Sequence, residues 1–249
     1  NSFALLNPYR EVLSKANEFV GYLPNAETVE PDTKLGLDDM FELVRKADED
    51  YRTLQEKKEK LKQKIEEYRA KQQIVAPFRP LECDLHRVLH YRYITYRFGR
   101  IAVEFYHKMQ KYLMDDLKAI FVEGERDESY VYGVYFVSQA ETQKVDAVFR
   151  SLHFERIELK DEFEGTPDTA YRVLENEIAR VNLEIEDLDK QAGEMLADRA
   201  PQLVAARDRL EELSNNFDVR KLAARMEDKQ EDYYILCGWM AEDDVDKFV

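Results

Sequence analysis

The sequence predicts an α+β chain in which two long helices pair antiparallel as a coiled coil and carry a small mixed lobe between them. Three observations predict it. A heptad seam runs through residues 37–76, a second runs through 165–230, and the stretch between them alternates strand-like and helix-like patterns.

Composition fits long thin elements. The chain has 249 residues, of which 36% are charged and 44% hydrophobic. That is more charge than the usual quarter, so much of the chain is solvated surface. Eight Gly and seven Pro leave few turns in a chain of this length. The net charge of −15 argues against a nucleic-acid partner, which needs a basic footprint. The two cysteines, Cys83 and Cys237, form no disulfide framework and no zinc spacing, as in a reducing cytosol. No apolar run approaches the roughly 20 residues that span a bilayer, and no secretory signal is read. The chain begins at Asn1 rather than Met, as a fragment or a processed form does.

The elements follow in order. Residues 1–36 are short apolar pieces broken by Pro8, Pro24 and Pro31, with one helix over Tyr9–Val20 whose face is Val12, Ala16, Phe19 and Val20. Leu37 to about Ile74 reads as an unbroken helix, with Asp38 and Asp39 at its positive end and Pro77 and Pro80 beyond its stop. Val44, Ala47, Tyr51, Leu54, Leu61, Ile65 and Tyr68 fall at steps of three and four, with Lys58 in one core slot. The intervening EKKEKLKQKIEE is nearly all charged, and so narrow a stripe calls for one partner helix rather than a globular core. The returning helix supplies it. Gly165, Thr166 and Pro167 form a helix start, with Thr166 as N-cap and Pro167 first in the helix. Leu174, Ile178, Val181, Ile185, Leu188, Ala192 and Met195 then repeat the seam. Pro201 is expected to kink it before a second stripe of Leu203, Ala206, Leu210, Leu213 and Phe217. Each helix of the pair extends roughly 60–75 Å at about 1.5 Å per residue.

Between the helices, Tyr91–Phe98 reads as a strand, Ile101–Met114 as a helix, Ala119–Val122 as a strand and 125–128 as a turn. Tyr130–Val137 reads as a strand, Glu141–Leu152 as a helix and Phe154–Leu159 as a last strand. The order is βαββαβ, the ferredoxin-like split unit, placed at the tip of the coiled coil. The segments are thus 1–36, a base-lobe segment and connecting helix; 37–76, the outgoing helix; 77–164, the distal lobe; 165–230, the returning helix; and 231–249, a base-lobe strand (YYILCGW) and an acidic helix start. The end pieces are part of a second small α/β lobe, and the apolar strand needs a sheet to join.

Little in the sequence carries chemistry. His86 and His90 share helical spacing, but Arg87, Val88 and Leu89 lie between them and no H-E-x-x-H pattern forms, so they read as surface or partly buried histidines. The acids of 123–128 lack calcium-loop spacing and read as a solvated turn. No phosphate loop, dinucleotide fingerprint or nucleophile elbow is present. Cys83 reads as a small core residue. No catalytic, metal or cofactor residue and no small-molecule substrate is expected. Aromatic density in Tyr91–Phe98 and Tyr130–Phe136 gives the sheet a second aromatic face. Its exposed members, with Tyr93, Tyr130, Tyr132 and Arg126 as the candidates, are expected to bind a protein partner.

Four motifs resemble one family. Residues 235–245 (ILCGWMAEDDV), with Gly238 and Trp239, resemble a Gly-Trp-Val-Pro-Glu motif. Residues 96–101 (YRFGRI), with Gly99 and Arg100, resemble a Phe-Gly-Arg-Ile-Pro strand-to-helix motif. Residues 138–159 resemble the last helix and strand of a lobe, and Gly165-Thr166-Pro167 opens a return helix. In order and spacing they are similar to the cytoplasmic N-terminal region of the membrane-anchored stator subunit (subunit I or subunit a) of V-type and archaeal-type rotary ATPases. Ala102 and Ala241 stand where that family often has Pro. The family's first proximal strand and helix are missing before Asn1, and its membrane domain after Val249. The resemblance implies a non-catalytic stator arm on the cytoplasmic side of a proton- or ion-transporting membrane complex. Its implied partners are the peripheral-stalk subunits, other cytosolic-side ATPase subunits and its own membrane domain. The alternative is an unrelated coiled-coil scaffold whose heptads pair between chains.

Overall fold

The computed structural model describes residues 6–220 except 33, 116 and 161, and the backbones of 221–222, 224–227 and 232–235. The described helices are α1 (Arg10–Gly21), α2 (Leu37–Val75), α3 (Leu85–Leu89), α4 (Val103–Asp115), α5 (Thr142–Ser151), α6 (Pro167–Asp198) and α7 (Ala200–Leu222). The strands are β1 (Ile94–Ala102), β2 (Ala119–Arg126), β3 (Tyr130–Ser138), β4 (Glu155–Arg156), β5 (Ala224–Glu227) and β6 (Asp232–Ile235). The fold is therefore α+β, mostly helical, with one small four-stranded antiparallel sheet and a two-stranded hairpin. The chain forms two units: one from the residues up to Lys57 and from Asp187 onward, the other from Lys58–Glu186.

In the first unit, α1, the first half of α2, the end of α6 and α7 share one apolar core. Ala16 and Phe19 of α1 meet Val44 and Ala47 of α2, and Leu196, Leu203, Ala206 and Leu210 close the other side. The helix read from Leu37 onward and the face of Ala16, Phe19 and Val20 are found as the periodicity predicts, because the apolar residues at three- and four-residue steps are the ones that reach zero or near-zero exposure. Pro201 has the expected effect. Its ring clashes with the carbonyl four residues back, at Ala197, and α6 stops at Asp198 before α7 resumes at Ala200. Arg199, at the break, reaches Asp50 Oδ2 at 2.6 Å. Asn7 donates to Ser214 Oγ at 3.0 Å, which satisfies a buried hydroxyl. The C-terminal strand does not stand alone: β6 pairs antiparallel with β5, and the rest of the predicted YYILCGW strand and the acidic helix start lie outside the described residues.

In the second unit the sheet order is β2-β3-β1-β4, all antiparallel, and the elements alternate as βαββαβ. One face of the sheet carries Ile101, Val131, Tyr135 and Val137 beneath Tyr106 and Met109 of α4 and Val145 and Phe149 of α5. The other carries Phe98 and Val134, with Tyr96, Tyr132 and Phe136 at its margin, against Val75, Phe78, Leu81, Leu85 and Val88. Ala170 and Leu174 of α6 join the same cluster. Both faces are covered. The expectation that a second aromatic face stands free is corrected, because the segment from Val75 to Leu89 folds onto it.

Three boundaries also move. The strand expected over Tyr91–Phe98 begins at Ile94 and runs on to Ala102, where the ladder to β3 ends at Tyr130. Ile101 and Phe105 suit a helical step, but Ile101 is fully buried in the sheet face, so the helix starts only at Val103. The second strand extends to Arg126 through an irregularity after Glu123, and the turn is held by Asp127, whose Oδ1 accepts from the N–H of Ser129 and of Tyr130 at 2.7 Å each. The last strand shrinks to Glu155–Arg156, because Leu159 and Phe163 turn into the core instead of continuing the ladder.

Candidate partner-binding surface

The four candidate contact residues sit in different surroundings. Tyr93 precedes β1, is 77% exposed, and fixes the start of the strand by accepting from the Gln139 N–H at 3.1 Å. Tyr130 lies opposite Ala102 at the other end of the β1–β3 ladder, roughly 26 Å along the strand at about 3.3 Å per residue. Its ring is covered by the Arg100 guanidinium at 4.1 Å. Tyr132 packs edge-on to Phe78 at 6.4 Å and belongs to a core cluster. Arg126 is exposed, with its guanidinium 5.7 Å from the Tyr106 ring. Tyr130 and Tyr132 are neighbours, with ring centroids 6.5 Å apart, whereas Tyr93 stands far along the strand from both. One continuous patch containing all four is not formed.

The motif residues are explained by local geometry. A Cβ on Gly99 would sit 2.2 Å from the Glu155 carbonyl oxygen and 2.5 Å from the Phe154 ring, so β4 approaches β1 only over a glycine. Arg100 binds Glu155 Oε2 at 2.6 Å across the same pair of strands. Gly165 has φ +72°, the left-handed conformation that other residues rarely adopt. Thr166 Oγ1 then accepts the Thr169 N–H at 3.2 Å, an N-cap, and Pro167 is the first helical residue. Asp168 in that first turn pairs with Arg79 at 2.7 Å. Gly238 and Trp239 lie outside the described residues.

A polar cluster that sequence reasoning missed lies beside β1. Asp146 of α5 accepts the Tyr135 hydroxyl at 2.7 Å and Arg156 Nη2 at 2.5 Å, and Arg97 Nη2 stands 3.5 Å away. Burial raises the Asp146 pKa, but the hydrogen bonds from Tyr135 and Arg156 outweigh it and hold the carboxyl below its ordinary value. Burial and the same carboxylate push the Tyr135 phenol well up. The signal in sequence is slight, since one Asp on a helix and two Arg on strands are ordinary surface residues until the register brings them together. Stability from this carboxylate is complete above the ordinary aspartate pKa of about 4 and is lost as pH falls through the lower folded-state value. Asp146→Asn is expected to flatten the acid limb of urea stability between about pH 2 and 5. An unchanged acid limb in that variant contradicts the assignment.

Other polar groups are structural. Burial pushes the Tyr106 phenol up to about 12, and its hydroxyl bonds Glu123 Oε2 at 2.6 Å. Burial raises the Cys83 thiol as well, away from the thiolate form that reacts. The rings of His86 and His90 lie against each other at a tilt of 33°, with centroids 4.4 Å apart. Among the described residues no group of three or more His, Cys, Asp or Glu is placed to hold a metal, and no described helix is long and apolar enough to cross a membrane.

Fold and site define a class: a mostly helical α+β chain with a small βαββαβ sheet unit. No family model and no curated protein matches the chain. Among solved structures it is similar to the crystal structure of the cytoplasmic N-terminal domain of subunit I, homolog of subunit a, of V-ATPase. That likeness has 13% identity and a TM-score of 0.46, and it covers 85% of this chain and 70% of that one. A likeness at this level fixes neither family nor function.

Proposed function

We propose that the chain is a non-catalytic stator arm of a V-type or archaeal-type rotary ATPase, whose two long helices pair within the chain as an antiparallel coiled coil. The observation that carries this is the order of contacts within the unit of Lys58–Glu186. Arg79, just past the end of α2, pairs with Asp168 in the first turn of α6 at 2.7 Å. Gln72, further back in α2, bonds the Tyr171 carbonyl, further on in α6, at 3.4 Å. Partners rise along one helix as they fall along the other, which is the behaviour of an antiparallel register. Val181 and Ile65, which that register places opposite each other, are both buried although flanked by charge.

The sheet unit is read as ferredoxin-like, supported by its βαββαβ order and by the strand order in which β1 lies between β3 and β4. The motifs that resemble the stator family fall where the backbone demands them, at Gly99 and at Gly165-Thr166-Pro167. A paired helix resists bending better than a single one, and an arm that holds against torque needs that stiffness. The peripheral-stalk subunits are the intended partners, with Arg126 and Tyr93 as exposed contacts of the distal lobe. Arg126→Glu is expected to weaken capture of purified peripheral-stalk subunits while leaving the thermal midpoint unchanged. Equal capture by parent and variant removes Arg126 from the interface, and no capture by either removes the stalk reading.

A further inference from the structure

β2 closes one side of the sheet, and its outer side has no ladder partner among the described residues. The phase of the main chain decides which groups stand there. The Tyr93 carbonyl accepts the Gln139 N–H at 3.1 Å and the Val103 N–H donates to the Ser129 carbonyl at 2.9 Å, so the odd-numbered residues of β1 and β3 bond each other. Backbone direction alternates along an antiparallel strand, so the even-numbered residues of β3 turn to β2. They meet Ile120 and Val122, which leaves the N–H and C=O of Phe121 and Glu123 directed outward. The Ala119 N–H, of the same phase, is taken by the Leu117 carbonyl at 2.8 Å. At the far end Pro77 and Phe78 stand over Gly124, where the pairing with β3 also turns irregular, so the open length is Ala119–Glu123.

Ala119–Val122 carries no charge and no proline, the devices with which natural edges avoid stray pairing. Beside it the cover over the second face of the sheet thins. Ile120 is 67% exposed and Val122 40%, next to Phe136 and Val134 in the ladder. Tyr91, whose ring lies edge-on to Phe136 at 6.5 Å, is exposed as well, and so is Ile94 at the same end of the sheet. Charge differs along the edge. Lys118 is exposed just before the strand, whereas Glu123, Glu125 and Glu128 are exposed at its other end, with Arg126 the single base there. A strand lying antiparallel to β2 therefore fits with a basic residue near its N-terminus and an acidic one near its C-terminus. A second copy of this chain brings its own net charge of −15 to the contact, which opposes self-pairing.

We propose that the outer edge of β2 over Ala119–Glu123 docks an extended segment of a partner protein, apolar at alternate residues, basic at its N-terminal end and acidic at its C-terminal end, which adds antiparallel to β2 as a further strand. Main-chain bonds to Phe121 and Glu123 supply affinity, and contact with Ile120 and Val122 selects the apolar alternation, the division of labour of strand addition. The site goes beyond the stalk reading and does not rest on it. The probe is a fluorescein-labelled peptide, Lys-Val-Thr-Val-Thr-Val-Glu, followed by anisotropy on the full chain. One control exchanges its Lys and Glu, and a second has Pro for the central Val. The probe binds saturably, the exchanged peptide binds about threefold more weakly, and the proline peptide does not bind. Hydrogen exchange at the Phe121 amide slows when the probe is bound. Ile120→Lys weakens binding about tenfold with the circular dichroism spectrum kept, and Lys118→Glu abolishes the preference between the two charge orders. If Ile120→Lys does not keep the spectrum, Ile120→Thr serves in its place. Absence of binding, equal binding of the proline peptide, no preference between charge orders in the parent, or an Ile120→Lys affinity equal to the parent overturns the proposal. A two-chain mass that Ile120→Lys abolishes assigns the edge to a second copy and overturns it as well.

Discussion

Phe149→Ala is expected to cost about 4 kcal/mol and to act on one unit alone. The ring is almost fully buried beneath α5, stacked on Tyr135 with centroids 4.0 Å apart and edge-on to Phe154 at 5.3 Å. Its removal leaves a cavity on the face of the sheet that Tyr135 and Val145 cannot fill without leaving their own contacts. The loss is read by hydrogen exchange, because the two units then separate in the data. Amides of β1 and β3 are expected to lose protection, while those of α1 and α7 keep theirs. Equal loss across both units contradicts the division of the chain, and undiminished protection in β1 and β3 contradicts the packing.

Gly99→Val is the second large effect, at about 3 kcal/mol. The obstruction is backbone: the Glu155 carbonyl stands 2.2 Å from where a Cβ would be, and the Phe154 ring is at 2.5 Å. A carbonyl in a ladder cannot move aside as a flexible side chain does, so β4 must leave β1. Leu159 and Phe154, both nearly buried, are then drawn out with it. Gly99→Ala is expected to show most of the same loss, since the clash lies at Cβ itself. A shift in urea midpoint for Gly99→Ala within that of an exposed helix substitution contradicts the close approach.

How much of this was legible in the sequence depends on the range of the interactions concerned. The long helices are written in local periodicity, and Leu37 and Pro167 are found as helix starts because charge near an N-terminus and an N-cap act within one turn. The break near Pro201 is equally local. The strand boundaries were less legible. Ile101 fits a helical step and a strand alternation alike, and only its pairing with Val131 decides between them. The surface was least legible of all. Alternating aromatics in β1 and β3 announce two faces, but not that Phe78, Leu81 and Leu85 return to cover the second. Tyr132 is consequently a packing residue rather than an open contact, while Arg97, Asp146 and Arg156 acquire meaning from register alone. Two of the motifs behind the resemblance to stator subunits turn on Gly99 and Gly165, which have clear structural duties, so those two report the fold of the lobe more directly than any partner.

The pairing of α2 and α6 within one chain is the claim on which the stator reading rests. It is tested most directly by light scattering across a wide range of concentration, with helicity followed by circular dichroism at each dilution. The account predicts the mass of one chain throughout and a constant helical signal. A two-chain mass that falls on dilution together with the helical signal would mean that the heptads pair between chains, and would contradict it.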